Sequence, residues 1–191
     1  MRPLTVSLLL VNIAVFGAQH LWGDSLERFA LWPPGFGFEP MQLVTYAFLH
    51  VSVQHLFFNM FALYMFGSSV EQYLGSTKFG VMYFASVITA AVTQVIVVSA
   101  SAGPPVPTVG ASGGVFGLLL AYGWLFPRNR ITLLFPPIPM PAWLFVTLYG
   151  LVELVSGVLG TQSGVAHFAH LGGMVGAFVA LVAWGRKPRT G

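Results

Sequence analysis

Apolar residues fall into six long runs separated by short polar or proline-rich breaks, and these runs set the architecture. They cover about Leu4–Trp22, Val53–Ser69, Phe79–Ala100, Ser112–Phe126, Trp143–Leu159 and Val165–Trp184. Each is read as a transmembrane helix, which makes the chain an all-α polytopic membrane protein with a six-helix bundle. The second run is the hardest to bound, because Met41–Val51 just before it is also apolar. Arg2 followed by the first run has the outline of a cleaved leader. The run is long, however, and Phe16-Gly17-Ala18-Gln19 makes a poor cleavage site, so a retained span is preferred. Short breaks leave room for one domain over residues 1–191.

Composition agrees. Hydrophobic residues make up 56% of the chain and charged residues 7%, against about 25% charged in a soluble domain. The pI of 9.5 invites a nucleic-acid reading, but the 8 basic residues form no patch. They sort by membrane side instead. With both termini in the cytoplasm, Arg2, Lys78, Arg128, Arg130, Arg186, Lys187 and Arg189 lie inside. Arg28 falls outside with Asp24, Glu27 and Glu39. The first external loop, Gly23–Pro40, carries Phe29, Leu31, Trp32, Phe36 and Phe38, and is expected half-sunk at the outer interface. There is no cysteine, hence no disulfide, thiolate nucleophile or Cys-ligated metal.

One run is too short to span. After Gly103-Pro104-Pro105-Val106-Pro107, which cannot be helical, Gly110-Ala111-Ser112-Gly113-Gly114 opens the fourth helix. Its 14 steps from Ser112 to Phe126 rise roughly 21 Å, against a hydrocarbon core of about 30 Å. With Arg128 and Arg130 at the inner boundary, Ser112 lies roughly 9 Å below the outer one. His170 is likewise 14 steps from Trp184, ahead of Arg186 and Lys187, so serine and histidine share a depth. His55 is 14 steps from Ser69, at a similar depth, with Asn59 one turn deeper on the same helical face. Alone, His55 and Asn59 read as interhelical glue worth about 0.6 kcal/mol. Beside Ser112 and His170 they read as part of a site.

The chemistry fits acyl transfer. A serine is a weak nucleophile until a base takes its proton, and neutral histidine is the usual base. Ser112 at a helix start has backbone N–H groups and a positive dipole end nearby, suited to an oxyanion, and His55 and Asn59 add two side-chain donors. No carboxylate stands near His170 in sequence, so a Ser–His dyad is expected rather than a triad. Gly113 with Gly117, Gly172 with Gly176, and Gly173 with Ala177 give small-xxx-small spacings that bring helix backbones close.

His50, His55, His167 and His170 raise a zinc reading. There is no H-E-x-x-H, and no Asp or Glu within a helical turn of these histidines, so no metal or other cofactor is expected. His50 is expected to hydrogen-bond backbone in the external loop, and His167 to face the outer cavity or its rim. Glu153, the one acid deep in a span, would be the start of a transporter's proton relay. Without a second intramembrane acid it is expected to pair with a polar group on a neighbouring helix or to stay protonated.

The chain resembles the rhomboid intramembrane serine proteases in their minimal six-helix bacterial form. The resemblance rests on Gln42-Leu43-Val44-Thr45-Tyr46 leading to His50, and on His55-Leu56-Phe57-Phe58-Asn59. It continues through Val70-Glu71 and Leu74-Gly75, then Gly110-Ala111-Ser112-Gly113 and Ala169-His170-Leu171-Gly172-Gly173. It implies Ser112 as nucleophile and His170 as general base, with His55, Asn59 and the Gly110–Ser112 segment around the oxyanion. It implies Phe58 on the substrate-access side, between the second and fifth helices, and Glu71 as a structural residue. Two positions depart: Phe116 stands where the family often has tyrosine, its ring still able to pack on His170, and Ala177 where it usually has glycine. The resemblance implies cleavage of other proteins' transmembrane segments near their outer ends, within the lipid bilayer of a bacterial inner membrane, without nucleic acid or metal. The rival is a non-catalytic rhomboid-like protein that binds membrane clients. Such relatives lack the serine or the histidine, and both are present here.

Overall fold

The computed structural model describes residues 2–100, 106–133, 137–161 and 166–186, with backbone alone at Asp24. Gly103, Pro104, Pro105, Val165, Lys187 and Arg189, used in the sequence reading, lie outside them. The described chain is a helical bundle. Its helices are α1 (Pro3–Trp22), α2 (Gln42–Thr45), α3 (Val53–Leu74), α4 (Ser76–Ser99), α5 (Ser112–Leu125), α6 (Ala142–Leu159) and α7 (His167–Ala183). Of these α1, α4 and α6 are long and apolar enough to cross a bilayer by themselves, whereas α5 and α7 are shorter. Together with α3 they correspond to the six predicted spans, in a polytopic helical membrane fold. The additional α2 is a single turn.

α5 occupies the middle. None of its residues is exposed, and it packs on α3, α4, α6 and α7. Glycines make this possible. A Cβ on Gly114 would stand 2.6 Å from the Tyr83 ring of α4, and one on Gly123 2.6 Å from Val146 of α6. The two glycine stripes of α7 face different partners: Gly172 and Gly176 press on Thr89 and Thr93 of α4, and Gly173 on the backbone of Gly113 in α5.

α3 runs to Leu74, five residues past its predicted end at Ser69, so that Glu71 lies inside the helix. The reason is local. The buried Glu71 carboxylate accepts from the Leu4 N–H (3.0 Å), the Thr5 N–H (2.8 Å), the Thr5 hydroxyl (2.7 Å) and the Ser76 hydroxyl (2.6 Å). It fills orphan donors at the start of α1 and ties that end to α3. At the same end Lys78 lies 5.6 Å over the Trp184 ring, Arg186 5.6 Å over Tyr73, and the Trp124 indole N–H donates to the Arg186 carbonyl at 2.8 Å. Lys78 and Arg186 thus lie at one end of the bundle.

The segment after α1 carries a helical turn and side-chain ties to its backbone. A 3₁₀ helix covers Gly23–Phe29. The Gln42 side chain accepts from the Trp32 N–H (3.1 Å) and donates to the carbonyls of Arg28 and Gly37 (3.0 Å each). Three backbone groups of this irregular segment are thereby paired within the protein. A short hairpin, β1 (Arg130–Thr132) antiparallel to β2 (Pro139–Pro141), joins α5 to α6.

Candidate active site

The approach to Ser112 is clamped on both sides. Leu31 and Thr108 exchange backbone hydrogen bonds of 3.0 and 2.9 Å, and the Gly110 N–H donates to the Tyr46 carbonyl at 3.0 Å. Gly110 has φ +126°, open to glycine but not to side chains, and a Cβ there would meet the His55 ring at 2.6 Å. Ser112 is then the first residue of α5. Its hydroxyl does not cap the helix. Ser112 Oγ lies 2.9 Å from His170 Nε2 on α7, so the two residues placed at one depth are in contact.

His170 is held on three sides. Its ring stacks on Phe116, centroids 4.1 Å apart and planes 7° off parallel. Phe116 stacks on Tyr149 at 5.4 Å and Tyr149 on Phe145 at 5.5 Å, so a column of rings crosses from α7 through α5 to α6. On its far edge, His170 Nδ1 lies 2.9 Å from Glu153 Oε2. The expectation that no carboxylate attends His170 is therefore wrong. Glu153 is distant in sequence but faces α7 from α6.

His167 also departs from expectation. It does not face the cavity or its rim; it is buried, with Nδ1 2.7 Å from Glu153 Oε2 and Nε2 3.1 Å from the Thr161 carbonyl. Glu153 thus has the neighbouring-helix partners its position called for. Glu153, His167 and His170 bring one N or O lone-pair atom each within 4.8 Å of one another. The N···O spacings of 2.7 and 2.9 Å are those of hydrogen bonds. Ligands on a tetrahedral ion at about 2.1 Å would stand about 3.4 Å apart.

An open cleft of about 920 Å³ leads to Ser112, lined among others by His55, Phe58, Asn59, Phe116, Tyr149 and His170. His55 is set by the Ser52 N-cap, whose hydroxyl accepts from the His55 N–H at 3.1 Å. One Asn59 amide N–H donates to the His55 carbonyl at 3.0 Å, leaving the other for the cleft. Phe58 of α3 is 51% exposed and lines the cleft, as do Phe145 and Tyr149 of α6.

The backbone contact expected of His50 is a loose one, between its ring and the Phe48 carbonyl. Its main chain is pinned by Gln19, which accepts from the His50 N–H at 2.9 Å. Its buried ring packs edge-on to His55 at 5.0 Å, with neither nitrogen in hydrogen-bonding geometry. The Phe48 carbonyl favours a proton there without being aligned to receive it. Burial, aided by His55, pushes the His50 imidazole from 6.5 down to about 4. Folding thus favours the neutral ring. As pH falls through 6.5 towards 4 the unfolded chain takes up a proton that the folded chain refuses, and stability is expected to drop by roughly 3 kcal/mol. Thermal melts at pH 7 and pH 4.5 check this: the loss on acidification should shrink in His50→Asn, and an equal loss in both proteins would refute it.

The Rhomboid domain profile matches residues 37–187. The chain belongs to the rhomboid family. It is 32% identical over 186 residues to Rhomboid protein 1, mitochondrial, of Saccharomyces cerevisiae, covering 90% of this chain and 50% of that protein. It is 32% identical over 178 residues to Rhomboid protease GlpG of Klebsiella pneumoniae, covering 90% of this chain and 59% of the relative. With Rhomboid protease GluP of Bacillus subtilis it shares 30% over 150 residues, 78% of this chain and 27% of the relative. The chain therefore spans between about a quarter and three fifths of the length of these relatives. In this rhomboid the Phe116 ring does pack on His170, and the buried Ala177 fits where glycine is usual. The site residues that sequence reasoning missed are Glu153 as a neighbour of His170 and Tyr149 in the ring column. Both face inward from α6, and the i, i+4 spacing of Phe145, Tyr149 and Glu153 was the available signal.

Proposed function

We propose that this rhomboid is an intramembrane serine endopeptidase formed by a single domain over residues 1–191. The observation that carries the reading is the 2.9 Å approach of Ser112 Oγ to His170 Nε2 at the foot of an open cleft. His170 takes the Ser112 proton as Oγ attacks the scissile carbonyl carbon, and the carbonyl π electrons move onto oxygen. The N-terminal amides of α5, the His55 ring and the free Asn59 N–H stabilise that oxyanion, with Gly110 giving His55 room. His170 returns its proton to the leaving amine, then activates water to release the acyl-enzyme. These steps draw on side chains and backbone alone, without metal or cofactor. The substrate is a transmembrane segment of another protein, reaching the cleft past Phe58 between α3 and α6. It must unwind locally to present its carbonyl, so Gly, Pro or small residues near the cut are favoured.

The basic end of the bundle supports both termini in the cytoplasm and a cleft opening to the extracytoplasmic side of a bacterial inner membrane. A single-span substrate co-reconstituted in liposomes tests the activity. Wild type should cleave it near its outer end, equally with and without chelator, and a fluorophosphonate should label Ser112. Intact substrate together with unlabelled Ser112 would overturn the reading and favour a client-binding rhomboid-like protein.

A further inference from the structure

α6 is the most lipid-facing of the helices around the cleft: of its 18 residues only Ala142, Val146 and Glu153 are buried. A carboxylate turned inward from such a helix is costly unless its oxygens are used. Glu153 uses one oxygen twice, for His167 Nδ1 and for His170 Nδ1. The hydrogen-bond inventory then determines which nitrogen of His170 carries the proton. The Thr161 carbonyl can only accept, which puts a proton on His167 Nε2. His167 Nδ1 either gives a proton to Glu153 or receives one from it. With Glu153 ionised, His167 Nδ1 is the donor of that pair and Oε2 also accepts from His170, whose Nδ1 then bears hydrogen. A neutral imidazole protonated on Nδ1 has its lone pair on Nε2, the atom 2.9 Å from the Ser112 hydroxyl.

We propose that Glu153 is a positioning residue for His170, holding the imidazole in the tautomer that accepts the Ser112 proton and facing the imidazolium that forms as Ser112 attacks. This rests on the protease reading above. His167 is the second anchor: it grips the same oxygen and keeps Glu153 on the α7 side of α6. The groups facing His170 are Ser112 from α5, Glu153 and Tyr149 from α6, His55 across the cleft on α3, and His167 on its own helix. Of the α4 positions packed on α7 beside it, Ser86, Thr89 and Thr93 are not titratable. Glu153 is the acid of this set. Its carboxylate is the group that can offset positive charge on the base as the proton moves from Oγ to Nε2.

The test follows Ser112 labelling by a fluorophosphonate, and substrate cleavage, across pH in wild type and Glu153→Gln. In the variant kcat should fall on the order of 10²–10⁴-fold with KM little changed. The acid limb of its kcat/KM profile should move to lower pH, because a protonated His170 no longer meets a negative charge. A merely structural tether would lower thermal stability and leave that limb in place. A folded Glu153→Gln enzyme with wild-type kcat and profile overturns the proposal. Histidine-selective ¹H–¹⁵N NMR of the wild-type protein, with His170→Ala for assignment, is independent of how the variant folds: Nδ1 of His170 should be protonated and Nε2 bare, and the reverse tautomer overturns the proposal. Wild type that neither cleaves nor labels would instead remove the protease reading on which the proposal stands.

Discussion

Replacing Ser112 with alanine is expected to abolish cleavage of a single-span substrate, lowering kcat by about 10⁴-fold or more, with His170→Ala matching it. The two losses should not add, because nucleophile and base act as one unit. Ser112 is half-buried and caps nothing, so alanine leaves α5 intact, and thermal stability should change by less than about 1 kcal/mol. The effect is then one of chemistry rather than folding. Cleavage rates in liposomes, paired with thermal melts of each variant, check both halves. Retained cleavage in Ser112→Ala would sink the mechanism.

The second large effect lies one helical turn beyond His170. A Cβ on Gly173 would fall on the Gly113 carbonyl oxygen and stand 2.8 Å from its carbon and 3.2 Å from its Cα. From the other side, a Cβ on Gly117 would stand 2.8 Å from the Gly173 carbonyl oxygen. The obstacle is backbone, which cannot rotate away as a side chain can. Gly173→Ala must therefore push α5 and α7 apart. We expect a loss of about 3 kcal/mol, at the upper end of overpacking costs. Because Ser112 rides on one helix and His170 on the other, a shift of about 1 Å should also slow Ser112 labelling about 10²-fold. Gly150→Ala is the control: its Cβ would meet only the flexible Met174 side chain at 3.5 Å, and helix propensity favours alanine. Equal melting temperatures for wild type and Gly173→Ala would refute the close-contact argument.

Much of this arrangement was legible in the linear pattern. Hydrophobic runs located the spans, and the distance of Ser112 and His170 from the same aromatic–basic boundary matched their depths before any contact was known. Glu153 was not paired in advance, because helical spacing links only residues within a turn or two, and it is 17 positions from His170 on another helix. The i, i+4 spacing of Phe145, Tyr149 and Glu153 marks one face of α6, but it does not say that this face meets α7. The end of α3 was placed too early for a related reason: Glu71 looks like a boundary charge until its four donors are counted. The β1–β2 hairpin sits in a proline-rich stretch without strand alternation, and nothing in the sequence told which backbone groups of the first external loop the Gln42 side chain would bond.

A 14-residue helix packed by four others, with no exposed residue, offers lipid little of its length. The bilayer alone therefore has little hold on α5: at roughly 21 Å it is too short to be kept as a lone span. Its retention depends on α4, made before it, and on α7, made well after it. During synthesis Gly113 and Gly117 must wait for α7 before they find the Gly173 backbone they fit. The same docking brings the histidine to the serine. A nascent chain that lacks α7 carries Ser112 without His170, so the proposed chemistry can begin only once α7 has docked.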